Sequence, residues 1–298
     1  MKKLNLKYIV LILFSTVSLI FGVIGCSPDV AEDGELETLK VYTTFYPLYD
    51  FAKKIGGDRI NVINMVPSGV EPHDFEPSPR QVAELSKARV FIYLGEPMDT
   101  WAEKIGSQLD DKSVKVLEAG EGLIQDDDPH IWLDPIIAKK LSHRIYGVLS
   151  DADRENKGYY RENMLNLGNR LDELDKEYRE GLSDISKRDV VVSHAALGYL
   201  ARRYGLNQIP ITGLSPQEEP SPRKMAELSS LGRQKGIEYI FFERLASTKL
   251  SETLAREIGA KLLVFNPLGS LSEDDIKSDE DYFSIMEENL KNLEKALK

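Results

Sequence analysis

Three of the four histidines in this 298-residue chain stand where they could share a metal ion. His73 and His194 each follow a short apolar run typical of a strand, and His130 precedes a run typical of a helix. Neutral imidazole is a common metal ligand and suits zinc, copper, iron and nickel. Three imidazoles with one further oxygen ligand form a familiar tetrahedral zinc site. His143 lies inside the helical run 136–149, so we assign it to packing or to the surface.

The segments that carry these histidines predict an α/β fold. Short apolar runs alternate with amphipathic stretches, which indicates helices layered on mostly parallel strands. The predicted strands are 39–43, 60–65, 90–94, 114–117, 190–192, 239–242 and 262–265. In open α/β sheets, ligands bind at the edge where the strands end. We therefore expect the three histidines to meet at such an edge.

The two halves of the chain resemble each other. Segment 77–86 (PSPRQVAELS) recurs as 220–229 (PSPRKMAELS), and segment 51–56 (FAKKIG) is echoed by 200–205 (LARRYG). In both copies of the first segment a serine can cap a helix that has proline in its first turn. Two echoes in the same order predict two copies of one α/β unit.

A long amphipathic segment, 154–182, lies between the halves. Its apolar residues recur every three or four positions, which places them on one face of a helix. A helix of that length would extend roughly 40 Å. The expected fold is two related α/β lobes, 39–153 and 183–298, bridged by this one long backbone helix, with the metal site in the cleft between the lobes. The apolar stripe is too short for a coiled coil with a second chain, and we expect a monomer.

The N-terminus is typical of a secretory signal. A basic start precedes the apolar run 8–24, and residues 23–26 read Val-Ile-Gly-Cys, with the only cysteine at Cys26. These last four residues resemble the bacterial lipobox, in which the cysteine is lipidated and becomes the mature N-terminus. We therefore predict a signal peptide at 1–25, lipid on Cys26 and an acidic linker at 26–38. A signal anchor with an incidental cysteine is the alternative.

Composition limits the partners. The formal net charge of −11 argues against nucleic acid, because phosphates attract basic surfaces. An acidic chain suits cation binding, although many proteins are acidic for solubility alone. No stretch after residue 38 is long and apolar enough to cross a bilayer.

The segments around the three histidines resemble the metal-ligand motifs of a known family. These segments are 71–74 (EPHD), 128–135 (DPHIWLDP) and 192–199 (VSHAALGY). They are similar to the motifs of the zinc/manganese solute-binding lipoproteins of ABC transporters, the ZnuA, AdcA and TroA type. The resemblance covers essentially the whole chain after the linker and includes 215–220 (SPQEEP) and 265–268 (FNPL).

The resemblance implies both a fold and a function. It implies that His73, His130 and His194 bind a divalent metal at the extracytoplasmic face of the cell membrane. It also implies delivery of that metal to an ABC permease and its ATPase for uptake. The family fold, two α/β lobes bridged by a rigid helix, agrees with the fold expected from the repeat and the helical stripe.

Two departures from the family pattern concern the site. Family members usually have a carboxylate ligand near the C-terminus, in a context like Asn-Pro-Leu-Glu, where this chain has Gly269. The fourth ligand could therefore be water, Glu71 or Glu273. Many zinc members also carry a histidine-rich loop before the second ligand. Here segment 121–128 (EGLIQDDD) is acidic instead, and we interpret it as a solvated loop or as a weak collector of cations.

Zinc fits this ligand set better than manganese. Manganese prefers carboxylate-rich shells, and in manganese members the position of His194 is often glutamate. Manganese binding combined with surface adhesion, a role attached to some relatives, is one alternative. A secreted zinc hydrolase is another, but the chain has no His-Glu-x-x-His helix and no evident general base besides Glu71. We expect a binding protein and not an enzyme.

Overall fold

The computed structural model describes residues 38–110 and 114–298. The predicted signal peptide and the predicted lipidation site, Cys26, lie outside these residues. Within them, none of the helices combines the length and the apolar character needed to cross a membrane.

The first lobe is built on a parallel sheet of four strands. These are β1 (Leu39–Thr43), β2 (Ile60–Asn64), β3 (Val90–Tyr93) and β4 (Lys115–Glu118), in the order β2-β1-β3-β4. The helices between them are α1 (Tyr46–Gly56), α2 (Pro79–Leu85) and α3 (Thr100–Asp110), and α4 (Pro135–Ala152) follows the sheet. Because all four strands are parallel, their carboxyl ends share one edge of the sheet.

The second lobe repeats this arrangement. Its strands are β5 (Asp189–Val192), β6 (Asn207–Pro210), β7 (Tyr239–Phe242) and β8 (Lys261–Val264), parallel and in the order β6-β5-β7-β8. The helices are α6 (Gly198–Tyr204), α7 (Pro222–Gln234), α8 (Lys249–Ile258), α9 (Glu273–Lys277) and α10 (Tyr282–Leu297). The same succession and the same strand order in both lobes confirm the predicted pair of related α/β units.

The repeated serine-proline motif begins a helix in each lobe. Ser78 accepts a hydrogen bond from the backbone N–H of Gln81 and caps α2, and Ser221 caps α7 in the same way through Lys224. Proline follows each cap at a position where the missing N–H costs no helical bond. The internal echo is therefore a repeated helix start.

One long helix, α5 (Lys157–Gly181), lies between the two sheets along the chain. At 1.5 Å per residue its 25 residues extend roughly 37 Å. Its buried stripe packs on α1 and α4 of the first lobe and on α10 of the second. The Tyr178 hydroxyl donates to the carbonyl of Met286 at 2.7 Å, which joins this helix to α10. The predicted bridging helix is thus present, and both lobes rest on it.

One large apolar cluster runs through both lobes, and each lobe has a smaller cluster of its own. The large cluster contains side chains from the first sheet, from α5 and from the second sheet, among them Val41, Leu171 and Phe241. The Phe51 and Tyr282 rings meet edge to face with centroids 4.9 Å apart, an arrangement worth about 0.5–1.5 kcal/mol beyond the area that it buries. The position of one lobe on the other is therefore set by packing as well as by the bridging helix.

Strand β6 was not predicted. Its sequence, Asn-Gln-Ile-Pro, has one large apolar residue and a proline, which strand propensity disfavours. It forms at the edge of the sheet, where β5 is its partner.

Candidate metal centre

His73 follows β2 and lies in a short 3₁₀ helix, Pro72–Asp74. Glu71 caps this turn and accepts the backbone N–H of His73 at 3.4 Å. The proline at its first position favours the turn conformation without a loss of hydrogen bonds. The turn places the His73 ring, half-buried, at the carboxyl edge of the first sheet.

His130 precedes another short 3₁₀ helix, Ile131–Leu133, and its side chain is buried. Asp134 then caps α4 by accepting the N–H groups of Ile136 at 2.8 Å and Ile137 at 3.2 Å. The helix thus starts at Asp134-Pro135, and His130 is held by the turn that leads into it.

His194 is the second residue after β5, and it is 1% exposed. A helix does not start at Ala195, the residue after His194. The helix α6 begins three residues later, at Gly198, without a side-chain cap, and the Ser193 hydroxyl donates to Glu243.

The three predicted histidines come together. The Nε2 atom of His130 lies 3.3 Å from Nε2 of His73 and 3.1 Å from Nε2 of His194. One nitrogen of each ring falls within 4.8 Å of the other two. Two nitrogens bound tetrahedrally to zinc at 2.0–2.1 Å would lie roughly 3.3–3.4 Å apart. The spacing therefore fits a single zinc ion bound by all three rings.

Two buried carboxylates orient two of these rings. Asp128 Oδ1 accepts Nδ1–H of His130 at 2.8 Å, and Glu243 Oε1 accepts Nδ1–H of His194 at 2.6 Å. A hydrogen bond at Nδ1 selects the tautomer in which Nε2 carries the free lone pair. Both free lone pairs then point into the space where the three Nε2 atoms meet.

The environment also sets the protonation of the rings. Burial, together with His130 and His194 nearby, lowers the pKa of His73 to about 3. Burial likewise lowers the pKa of His130. At His194 burial acts in the same direction, but the charge of Glu243 and the hydrogen bond to it outweigh burial and raise the pKa. Two of the rings are thus held neutral, the form that binds metal.

The cavity beside the three rings has a volume of about 20 Å³, enough for one water-sized species. Its wall includes Glu71, Met98, Trp132 and Arg244. Burial raises the pKa of the Glu71 carboxyl to about 7. Across the described ranges, no carboxylate oxygen joins the three imidazole nitrogens within 4.8 Å.

The other positions considered for the fourth ligand are also located. Gly269 lines the cavity, and a Cβ added there would lie 2.8 Å from Cγ of Pro72. Glu273 lies on α9, where its exposed side chain pairs with Lys277 at 3.4 Å. Glu273 therefore does not reach the cavity, whereas Glu71 does. His143 is exposed on α4, as expected for a residue outside the site.

Sequence reasoning missed both orienting carboxylates. The acidic segment 121–128 was interpreted as a solvated loop, which is correct for Asp126 and Asp127 but wrong for Asp128, which is 5% exposed. Glu243 is 49 residues from His194 along the chain. A signal for Glu243 existed in its place directly after a predicted strand, one residue nearer to the strand end than His194 is.

Comparisons with known proteins agree with this geometry. Residues 41–296 match the family model ZnuA, described as zinc-uptake complex component A, periplasmic. The chain is 40% identical over 311 residues to the zinc-binding lipoprotein AdcA of Streptococcus pneumoniae, covering 98% of this chain and 61% of that protein. It is 38% identical over 285 residues to the high-affinity zinc uptake system protein ZnuA of Bacillus subtilis, covering 89% of each.

A solved structure shows the same fold. The Zn(II)-bound ZnuA-like domain of Streptococcus pneumoniae AdcA superposes with a TM-score of 0.79 at 42% identity, over 87% of this chain and 99% of that domain. The chain thus spans about three fifths of the pneumococcal protein and nearly all of its ZnuA-like domain. By the family match and these relatives, the chain belongs to the ZnuA family.

Proposed function

We propose that this protein captures zinc outside the cytoplasm and delivers it to an ABC permease for uptake. The observation that carries the proposal is the convergence of three imidazole Nε2 atoms at zinc-like spacing in one small cavity. The names of the relatives, a zinc-binding lipoprotein and a zinc uptake protein, support the choice of metal and of process.

The ligands in this proposal are His73, His130 and His194. Their elements come from both lobes, so the ion lies in the cleft between them. The fourth position is left to water or to Glu71, a carboxylate in the cavity wall. No general base is needed, because the ion is cargo to be bound and released.

Zinc is favoured over manganese by the chemistry of the donors. An imidazole-rich site suits zinc, whereas manganese prefers carboxylates and water. With glycine at 269, the site lacks the carboxylate that family members usually have there. That carboxylate would have shifted the ligand set toward the oxygen donors that manganese prefers. Manganese is therefore the more weakly bound metal in this proposal.

The remaining parts of the proposal concern the N-terminus and the partners. Residues 1–25 serve as a signal peptide, and 26–38 as a linker from lipid on Cys26, which holds the protein on the extracytoplasmic face of the cell membrane. The lobes 39–153 and 183–298, with the bridging segment 154–182, form a monomer that meets a permease and its ATPase. A Cys26→Ser variant should leave the membrane fraction, and one that stays there would argue against the lipid anchor.

Metal analysis tests the proposed cargo. Protein purified without added metal is analysed for its elemental content, and zinc and manganese then compete for the emptied protein. We expect one zinc per chain and retention of zinc against excess manganese. A site that exchanges zinc for manganese would overturn the choice of metal.

Growth separates uptake from adhesion. A deletion strain should fail to grow in chelated medium and recover when zinc is added. Normal growth of that strain in chelated medium would argue against a role in uptake.

A further inference from the structure

Glu243 stands opposite His194 because of the register of the second sheet. Strands β5 and β7 are parallel neighbours in which Val191 pairs with Ile240 and Val192 with Phe241. Continuing this register by two residues places His194 opposite Glu243. Both residues lie just beyond the carboxyl ends of their strands, so the sheet itself brings them together.

One oxygen of Glu243 makes both of its polar contacts. Oε1 accepts Nδ1–H of His194 at 2.6 Å and also accepts the hydroxyl of Ser193. An ionised carboxylate can only accept hydrogen bonds. The proton in its contact with His194 therefore belongs to Nδ1 of the imidazole. The Nε2 lone pair of His194 is left free and lies 3.1 Å from Nε2 of His130.

Among the described residues, no lysine or arginine serves as a counterion for the Glu243 carboxylate. Glu243 is 5% exposed, and burial of an uncompensated carboxylate is costly. Its neighbour Arg244 pairs instead with Asp275, at 3.3 Å. Within the part of the chain that the structure describes, His194 is the only ion-pair partner found for Glu243. A residue needed merely to fill the space would carry less cost as an apolar side chain.

We infer that Glu243 is a positioning residue for the metal centre, fixing the ring orientation and the tautomer of His194 so that Nε2 faces the ion. The inference rests on the proposed function in one respect, that His194 is a ligand. The carboxylate also supplies negative charge next to a ligand set that consists of three imidazole rings. Loss of such a partner of a metal-binding histidine lowers metal affinity by about 10–100-fold.

The first test reads the tautomer of His194 in the metal-free protein. Histidine ¹⁵N chemical shifts are recorded at alkaline pH, at the point where they show a neutral His194 ring despite its raised pKa, for the wild type, Glu243→Ala and Glu243→Gln. We expect Nδ1–H at His194 in the wild type and in Glu243→Gln, whose amide oxygen can still accept that proton. We expect Nε2–H in Glu243→Ala. An unchanged tautomer in Glu243→Ala would overturn the inference.

The second test measures zinc affinity of the same proteins by competition with a chelator. We expect a loss of about 10–100-fold for Glu243→Ala and a smaller loss for Glu243→Gln, which keeps the acceptor and removes the charge. The control is Asp50→Asn, which changes a buried carboxylate paired with Lys54 on α1, and it should retain wild-type affinity. Equal losses in the control and in Glu243→Ala would overturn the inference.

The two tests separate this inference from the proposed function. If Glu243→Ala does not fold, the zinc affinity of the isosteric Glu243→Gln decides the question. Wild-type zinc affinity in Glu243→Gln would contradict the role of the charge. The tautomer of His194 could depend on Glu243 while the wild-type protein binds no zinc. That pair of results would reject the proposed function and keep the orienting role of Glu243.

Discussion

Gly269 lies against Pro72, so close that a Cβ on residue 269 would fall 2.8 Å from Cγ of the proline ring. Pro72 is followed by His73, and the contact therefore joins the loop after β8 to the turn that holds one of the metal-site histidines. The Gly69 N–H donates to the carbonyl of Leu271 at 2.8 Å and holds the same two loops together. Glycine at 269 thus removes a potential ligand and allows the two lobes to approach.

Gly269→Glu tests this contact. We expect no gain in zinc affinity and a loss of about 1–3 kcal/mol of stability, because the rigid proline ring must move to admit the side chain. Chemical unfolding and a chelator competition measure the two effects. Gly147→Ala is the control, since a Cβ in that helix meets nothing within 4 Å, and it should stabilise the protein by about 0.5–1 kcal/mol. Tighter zinc binding by Gly269→Glu would show that the loop adapts to a carboxylate.

His130→Ala removes the ring that lies between the other two. We expect zinc affinity to fall by about 100-fold or more, which is roughly 2.7 kcal/mol of binding free energy. Calorimetric titration of the metal-free protein measures the change. The exposed His143 provides the control, and His143→Ala should bind as the wild type does. Tight binding by His130→Ala would remove His130 from the site.

Asp128→Asn tests the carboxylate that orients His130. The amide can keep one acceptor for Nδ1–H but loses the charge, so we expect an affinity loss of up to about 10–100-fold. Asp126→Asn is the matched control in the same loop, because Asp126 is exposed and its left-handed backbone suits asparagine. The same loss in both variants would mean that the acidic loop acts through its overall charge.

Zinc affinity should fall as the medium becomes acidic. The low pKa of His73 keeps that ring neutral between about pH 7.5 and pH 5.5, which is within the range where histidines ordinarily titrate. The raised pKa of His194 means that protons compete with zinc mainly there, and a proton bound at low pH must leave before the metal binds. Chelator competition at about pH 7.5 and pH 5.5 measures the difference. Equal affinities at the two values would argue against ligation by histidine.

Tyr282→Phe tests the contact between α10 and the first lobe. The Tyr282 hydroxyl donates to the carbonyl of Trp132 at 2.7 Å, and both side chains are buried. Its removal leaves a buried carbonyl without this donor, and we expect a loss of about 1–3 kcal/mol. Chemical unfolding measures the change, with Tyr159→Phe on the exposed side of α5 as the control. A loss of the same size in the control would rule out the buried hydrogen bond as its cause.

Much of the fold and the three histidines could be predicted from local patterns. Runs such as 90–94 are apolar throughout, which marks strands buried on both faces, and each histidine lies next to such a run or to a clear helix start. These signals depend on neighbouring residues alone, so they can be read along a single chain.

What could not be predicted depends on contacts between distant segments. The pairing of Glu243 with His194 needs the register of two strands that are neighbours only in the folded sheet. The approach of Gly269 to Pro72 joins residues from different lobes. Strand β6 forms because β5 offers it an edge, in spite of a sequence with little strand propensity of its own.

The continuous core has a consequence for how the molecule unfolds. Two repeated units with fully separate cores could melt one after the other. Here each lobe has a small cluster of its own, but the large cluster contains side chains of both sheets and of α5. The chain from Leu39 onward should therefore lose its structure in one cooperative transition. Zinc bound between the lobes would then protect every part of the globule together, by about 2.7 kcal/mol when free zinc is 100 times the dissociation constant.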